Sequence, residues 1–466
     1  MEKLIGDRKF YRRLLIIAMP IVIQQLITSS VQLVDNLMVG SLGELAIGSV
    51  SVVNQLYFVV IIVTFGAMGG AGIYTAQFFG SNQKDKLKQT FRFKLLIGLG
   101  IACFAILIFS IFGENLISMF TENPITIQGG LDYLNIAKWV MIPLVLTVAI
   151  SSSFREIGIT KPLLKISAIA IIFNVILNYL LIFGNLGFPK LGIEGAAYAT
   201  LISRTIEFLF LFVLLIIKGQ VFNTSIFNLF KIDGLLLKMI VITAIPLVIN
   251  EFLFSFGQTM FLESYATRGD NALAAINITN AISQLVFITF GGIGTAVAVL
   301  VGNTLGENKL KEAKENSLKI ITFAVIFAFI LGIILFVLSF FVLNLYDITA
   351  ETKAIAQFNI RVNAFVIPII SLYMALYFTL RSGGDTRSTM IMDSGYIWVI
   401  QVPVVFLLAR LTNLGVIYLF LIVQLLEVPK VLLAYSRYKK EYWLRNLAKE
   451  NDENAKRLLK ATKLNN

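Results

Sequence analysis

The chain has 466 residues, 57% of them hydrophobic and 14% charged, with a mean hydropathy of +0.83; a soluble domain carries about 25% charged residues, so this is an integral membrane protein. It has no histidine, and its single cysteine, Cys103, lies within a hydrophobic stretch, which excludes disulfides within the chain, cysteine metal sites and histidine proton relays. The net charge of +12 follows from membrane topology and a basic tail and calls for no nucleic acid.

In chain order, twelve segments are long and apolar enough to span a bilayer. The first half predicts spans at about Leu14–Met38, Ala46–Phe78, Phe93–Phe112, Leu134–Phe154, Leu163–Phe183 and Gly195–Ile217. The second half predicts Met239–Leu262, Ala272–Val301, Ile320–Leu345, Phe358–Leu380, Met390–Leu411 and Gly415–Tyr435. The implied organisation is a lobe over 1–217, a connecting loop over 218–238, a second lobe over 239–436 and a basic tail over 437–466. The first segment is too long for a signal peptide and lacks a small-residue cleavage site, so it reads as a retained helix. Basic residues gather at the N-terminus (Lys3, Arg8, Lys9, Arg12, Arg13) and after the second and eighth spans, while the loops after the first and third spans are acidic. By the positive-inside rule both termini are expected in the cytoplasm. The tail, with Tyr442 and Trp443, is expected to lie on anionic lipid.

The two halves repeat one another at an offset of 226. Ala18 and Pro20 recur as Ala244 and Pro246, Gly43 as Gly269, Asn82 as Asn308, and Arg155, Gly158 and Thr160 as Arg381, Gly384 and Thr386. Six spans per half is even, so the repeats are expected to be parallel, the arrangement of many secondary transporters. Pro20, Pro143, Pro246 and Pro368 fall inside spans in paired positions, where each removes a backbone hydrogen bond and permits a bend. Pro20 is a candidate hinge. The run Arg381–Arg387 reads as a helix stop, a turn and an N-cap.

Polar residues inside these spans are costly and mark function or helix contacts. Gln25, Thr28, Gln32 and Asp35 fall on one helical face of the first span; the seventh span repeats the stripe as Glu251, Ser255, Gln258 and Leu262. These residues are expected to line a water-accessible cavity, although Glu251 could equally hold helices together. Asn174 and Asn178 lie four apart in the fifth span and Thr200 near the start of the sixth. With Asp35 they offer one carboxylate and three neutral oxygens, a set suited to a monovalent cation or to a proton on the acid; asparagine pairs also join helices. Arg204 and Glu207, three apart in the sixth span, read as an intrahelical ion pair.

The segments QLVDNLMVG from Gln32, LGELAIG after it, NVILNYLLIFG from Asn174, GAAYAT ending at Thr200, and LRSGGDTR from Leu380 together resemble the multidrug and toxic compound extrusion (MATE) family. The resemblance covers the twelve spans and leaves the tail outside. It implies an all-α integral membrane fold of twelve transmembrane helices in two parallel six-helix repeats, forming a V-shaped bundle pair. It also implies export of small organic cations in exchange for sodium or protons, with Asp35, Asn174, Asn178 and Thr200 as the coupling site. The expected drug site comprises Gln32, Glu251, Ser255, Gln258 and Tyr373. One branch of the family carries an aspartate where Asn178 stands, and another an acid in the tenth span, which here has none. The expectation is therefore a plasma-membrane antiporter acting as a monomer, sodium-coupled in preference to proton-coupled, with no cofactor beyond a bound sodium ion. The alternatives are a flippase for a lipid-linked saccharide, which would need basic residues lining its interior, a membrane-embedded enzyme, for which no catalytic set is present, and a channel.

Overall fold

The computed structural model describes residues 4–346 and 348–464, so Lys3 and the end of the tail at 465–466 lie outside the described residues. Among the described residues twelve helices are long and apolar enough to cross a membrane. We number them α1 (Arg8–Gly40), α2 (Glu44–Gly80), α3 (Lys84–Ser118), α4 (Pro124–Glu156), α5 (Lys161–Phe183) and α6 (Gly192–Lys218) in the first half. The second half has α7 (Gly234–Ala266), α8 (Asp270–Gly306), α9 (Leu310–Leu338), α10 (Ala350–Ser382), α11 (Thr386–Leu411) and α12 (Val416–Lys439). A thirteenth helix, α13 (Leu447–Leu464), follows. In lipid every backbone polar group needs an internal partner, and a helix supplies it within one segment. No strand occurs among the described residues.

The turns repeat as the sequence does. Gly43 and Gly269 precede α2 and α8 with φ +109° and +94°, and nothing lies within 4 Å of where a Cβ would stand at either. Glycine is needed there for its backbone angle, not for space. Asn82 and Asn308 take φ +57° and +62° after α2 and α8, a left-handed conformation that asparagine tolerates. Gly384 turns the chain between α10 and α11 at φ +82°. Asp385 follows, but its side chain makes no cap bond; it accepts instead from Arg437 Nε at 2.7 Å. The turn is as expected and the N-cap is not, because an ion pair outcompetes the cap for the carboxylate.

Two compact units form, one from residues 19–248 and the other from 1–18 with 249–466. Their borders fall inside α1 and α7, beside Pro20 and Pro246, rather than in the connecting segment. In the first unit, α2 presents Gly66 and Gly70 to the start of α7. A Cβ on Gly70 would stand 2.5 Å from Ala244 and one on Gly66 2.7 Å from Val248, and the Tyr74 hydroxyl meets Thr243 at 3.1 Å. In the second unit, Leu14, Ile17 and Ala18 from the start of α1 enter a core with Phe290, Val297, Tyr373 and Leu376. Tyr11 packs on Phe323 there with ring centroids 5.6 Å apart.

The tail corrects an expectation. Trp443 is not at a lipid surface: it is 0% exposed, stacked on Tyr438 at 5.4 Å, with its backbone carbonyl against Gly383. Asn446 donates to the Gly306 carbonyl at 3.0 Å. Tyr442 remains exposed. An indole in a basic tail reads as a membrane anchor until the fold provides a cleft for it.

Candidate functional site

Within the unit 19–248, α1 and α5 bring Asp35 to Asn174 and Asn178. Asn178 Nδ2 donates to Asp35 Oδ1 at 2.6 Å. Turned to satisfy both groups, the Asn174 amide donates to the two carboxylate oxygens at 3.0 and 3.1 Å. The opposite orientation aims an oxygen at the same atoms, an arrangement that needs a proton or cation to hold it. Asn178 Oδ1 is buried without a hydrogen-bond partner. Thr200 completes the set from α6.

Asp35, Asn174 and Thr200 line a cavity of about 70 Å³ together with Thr28, Gln32, Arg204 and Glu207. Drug-sized ligands occupy pockets of about 300–1,000 Å³. This cavity has room for an ion or water and not for such a ligand. Three members of the predicted stripe, Thr28, Gln32 and Asp35, reach it; Gln25 does not and is exposed. The adjacent Gln24 turns inward instead and donates to Ser167 Oγ at 2.7 Å.

Ser167 in turn donates to Glu207 Oε1 at 2.7 Å, and Arg204 Nη1 donates to Glu207 Oε2 at 2.7 Å. The expected Arg204–Glu207 pair therefore forms, and it also ties α6 to α1 and α5. A second ion pair, more deeply buried, lies in the same unit. Lys94, 0% exposed, meets Glu156 at 2.5 Å, where Gly72 leaves room: a Cβ there would be 2.3 Å from Glu156 Oε1.

The remaining expected site residues belong to the other unit. Glu251 lies 3.8 Å from Arg381, Ser255 is half-buried and Gln258 is exposed. Tyr373, expected in a drug cavity, is buried inside the lobe, and its hydroxyl donates to Asp393 at 3.0 Å. Asp393 also pairs with Lys430 at 2.8 Å. Sequence reasoning read Lys94 as a loop lysine after the second span and missed Asp393 and Lys430, although an ionisable residue inside an apolar segment was the available signal. The interior therefore also carries basic residues, and the two buried lysines among the described residues, Lys94 and Lys430, are each held by a carboxylate.

The copy of the Asp35 cage is absent from the second lobe. At the 226 offset Asp35, Asn174 and Asn178 become Phe261, Ile400 and Val404, and at the 220 offset of the last span Thr200 becomes Phe420. One lobe holds the carboxylate-and-amide cage; its repeat fills those positions with hydrocarbon.

Twelve membrane helices in two repeats, with a small polar cage inside one of them, define a multi-pass membrane protein of the secondary-transporter class. The MatE family model matches residues 20–180 and 246–407, beginning at the paired prolines of the two repeats, and the chain belongs to this family, the MATE multidrug efflux transporters. Among its relatives, the probable multidrug resistance protein YoeA of Bacillus subtilis is 27% identical over 94% of this chain and 96% of its own length. The probable multidrug resistance protein NorM of Halalkalibacterium halodurans is 25% identical over 86% and 88%. The fold matches the outward-facing structure of a multidrug resistance MATE family transporter with a TM-score of 0.84 at 17% identity, covering 95% of this chain and 97% of that one. It also matches a mutant of the Vibrio cholerae MATE transporter VcmN with a TM-score of 0.86 at 16% identity, over 94% and 99%.

Proposed function

We propose that this protein exports amphipathic organic cations in exchange for a monovalent cation bound at Asp35, sodium in preference to a proton. The observation that carries the reading is the site itself: Asp35, Asn174 and Thr200 line a cavity of about 70 Å³ whose wall also holds the Arg204–Glu207 pair, and Asn178, bonded to Asp35, keeps its Oδ1 without a donor. A hard monovalent cation takes oxygen ligands of this kind. A cavity of this size supports the driving ion as its occupant, which leaves the drug to a separate surface. Relatives named as probable multidrug resistance proteins support the substrate class.

In this mechanism the ion neutralises Asp35, its amide partners reorient, and α1 repacks beyond Pro20, so that ion and drug are bound in turn. Both termini would lie in the cytoplasm and the protein would act in the plasma membrane as a monomer. The test is ethidium efflux from proteoliposomes under an imposed sodium gradient and then an imposed pH gradient, for the parent protein and Asp35→Asn. Efflux driven by one gradient and abolished by the substitution supports the mechanism and names the ion. Efflux under neither gradient would falsify it.

A further inference from the structure

A second concentration of buried ionisable groups lies in the unit that contains α8–α12. Asp393 on α11 accepts from Lys430 Nζ at 2.8 Å, from the Tyr373 hydroxyl at 3.0 Å and from Asn250 Nδ2 at 3.0 Å. Asp393 and Lys430 are 5% and 3% exposed. Glu427, one turn before Lys430 on α12, has Oε2 3.7 Å from the same ammonium, and its Oε1 accepts from Gln401 Nε2 at 2.8 Å. One lysine thus serves two carboxylates.

The groups facing this cluster do not supply the missing charge. Glu251 and Arg381 nearby are 3.8 Å apart and offset one another. Tyr377 and Tyr396 are the other titratable neighbours, and neither brings positive charge. With every acid ionised the cluster would carry one net negative charge, deep within the lobe. Glu427 stands eleven residues into α12, roughly 16 Å along the helix, a depth at which an uncompensated charge is strongly disfavoured.

The backbone departs from regularity at the same place. α11 contains two π turns, Ile391–Gly395 and Ile397–Gln401, which hold Asp393 and Gln401. Its repeat counterpart α5 is α-helical throughout, with Ser167 where α11 has Asp393. α12 is interrupted at Leu426, so that Glu427 opens a new helical stretch with Pro429 in its first turn. Wide turns and breaks inside a membrane sacrifice regular backbone bonding and occur mostly at functional sites.

We propose that Asp393, Lys430 and Glu427 form a second proton-binding site, with one exchangeable proton carried by Glu427. Asp393, with three donors, is the ionised member, and Lys430 is its fixed counter-ion. Glu427, with one amide donor and a distant ammonium, is the member that takes a proton from the aqueous phase and becomes a neutral acid. Release of that proton sets Glu427 in competition with Asp393 for Lys430 and loosens the tie between α12 and the π segment of α11. The site stands independently of the coupling role proposed for Asp35.

The test is infrared difference spectroscopy of the full-length protein across a pH series, in an Asp35→Asn background so that the first cage contributes nothing. A carbonyl stretch of a protonated carboxylic acid is expected, appearing and disappearing with pH, and it is expected to be lost in Glu427→Gln. Gln401→Leu keeps both carboxylates and removes only the amide donor, so it should shift that band to higher frequency; this variant decides the matter if Glu427→Gln does not fold. Spectra unchanged by either substitution, or the absence of any titrating carboxylic acid in the Asp35→Asn protein, overturn the proposal.

Discussion

Asn178 donates its amide to Asp35 at 2.6 Å across 143 residues of chain, and Gln24 reaches Ser167 across the same 143 residues. Equal separations eleven residues apart mean that α1 and α5 run parallel and in step, each regular through the contact. In the other lobe the separation drifts, from 143 between Asn250 and Asp393 to 147 between Glu263 and Arg410. The two π turns of α11 take up part of the additional residues. The repeats therefore share a framework and differ where each concentrates its charge.

Asn178→Ala removes a hydrogen bond to a carboxylate. Such a bond is worth about 1.5–3 kcal/mol. Because that bond holds the ion-free carboxylate, the expected result is a roughly tenfold to hundredfold fall in the concentration of driving ion needed for half-maximal efflux. An unchanged ion dependence would show that the amide only packs.

Lys94→Met and Glu156→Gln each leave a buried charge without its partner. The expected loss is about 3–5 kcal/mol for either single change and much less for the pair together. Thermal unfolding of the detergent-solubilised variants measures this, and a loss in the double variant equal to the sum of the two single losses would refute the coupling.

Gly70→Val places side-chain atoms where the backbone of α7 already lies, since a Cβ would stand 2.5 Å from Ala244. Overpacking of this kind costs about 1–3 kcal/mol. Gly100→Val is the control, with nothing within 4 Å. A lowered melting temperature for the first and not the second is the expected outcome.

Trp443→Ala empties a fully enclosed indole site beside Tyr438. Removal of a buried aromatic costs about 3–5 kcal/mol, and trypsin should then cut the tail at residues 437–449 readily at neutral pH. A tail that stays resistant would mean that Trp443 does not hold it.

Asp233, between α6 and α7, accepts from Lys86 Nζ at 2.6 Å, and this bond holds its carboxyl below the usual carboxylate range. Its folded pKa is depressed, so the attachment is fully present above the ordinary aspartate pKa of about 3.9 and is lost as pH falls through the lower folded value. Cleavage of the 218–238 segment by pepsin should rise steeply as the medium is acidified below that point. In Lys86→Gln the onset should move to higher pH, and an onset that stays put would count against the bond.

Twelve spans and their repeat were legible in the sequence, because a bilayer forces apolar length and helical periodicity into plain view; spacing alone left the grouping of Asp35 with Asn174, Asn178 and Thr200 open, and only the family resemblance implied it. The choice of Gln24 over Gln25 for the contact with α5 was not legible, since adjacent residues differ by a rotation that only a packed neighbour decides. Nor could spacing reveal that Asp393, Lys430 and Glu427 meet: their approach depends on two π turns and a helix break whose irregular rotation no fixed period describes. Trp443 carries the same lesson at the tail, where composition proposes a lipid surface and the tertiary fold supplies a buried cleft. Sequence alone determined what had to be in the membrane and which residues repeat; three-dimensional packing decided which polar side chains find one another, because burial of charge is settled by the partners available at each point.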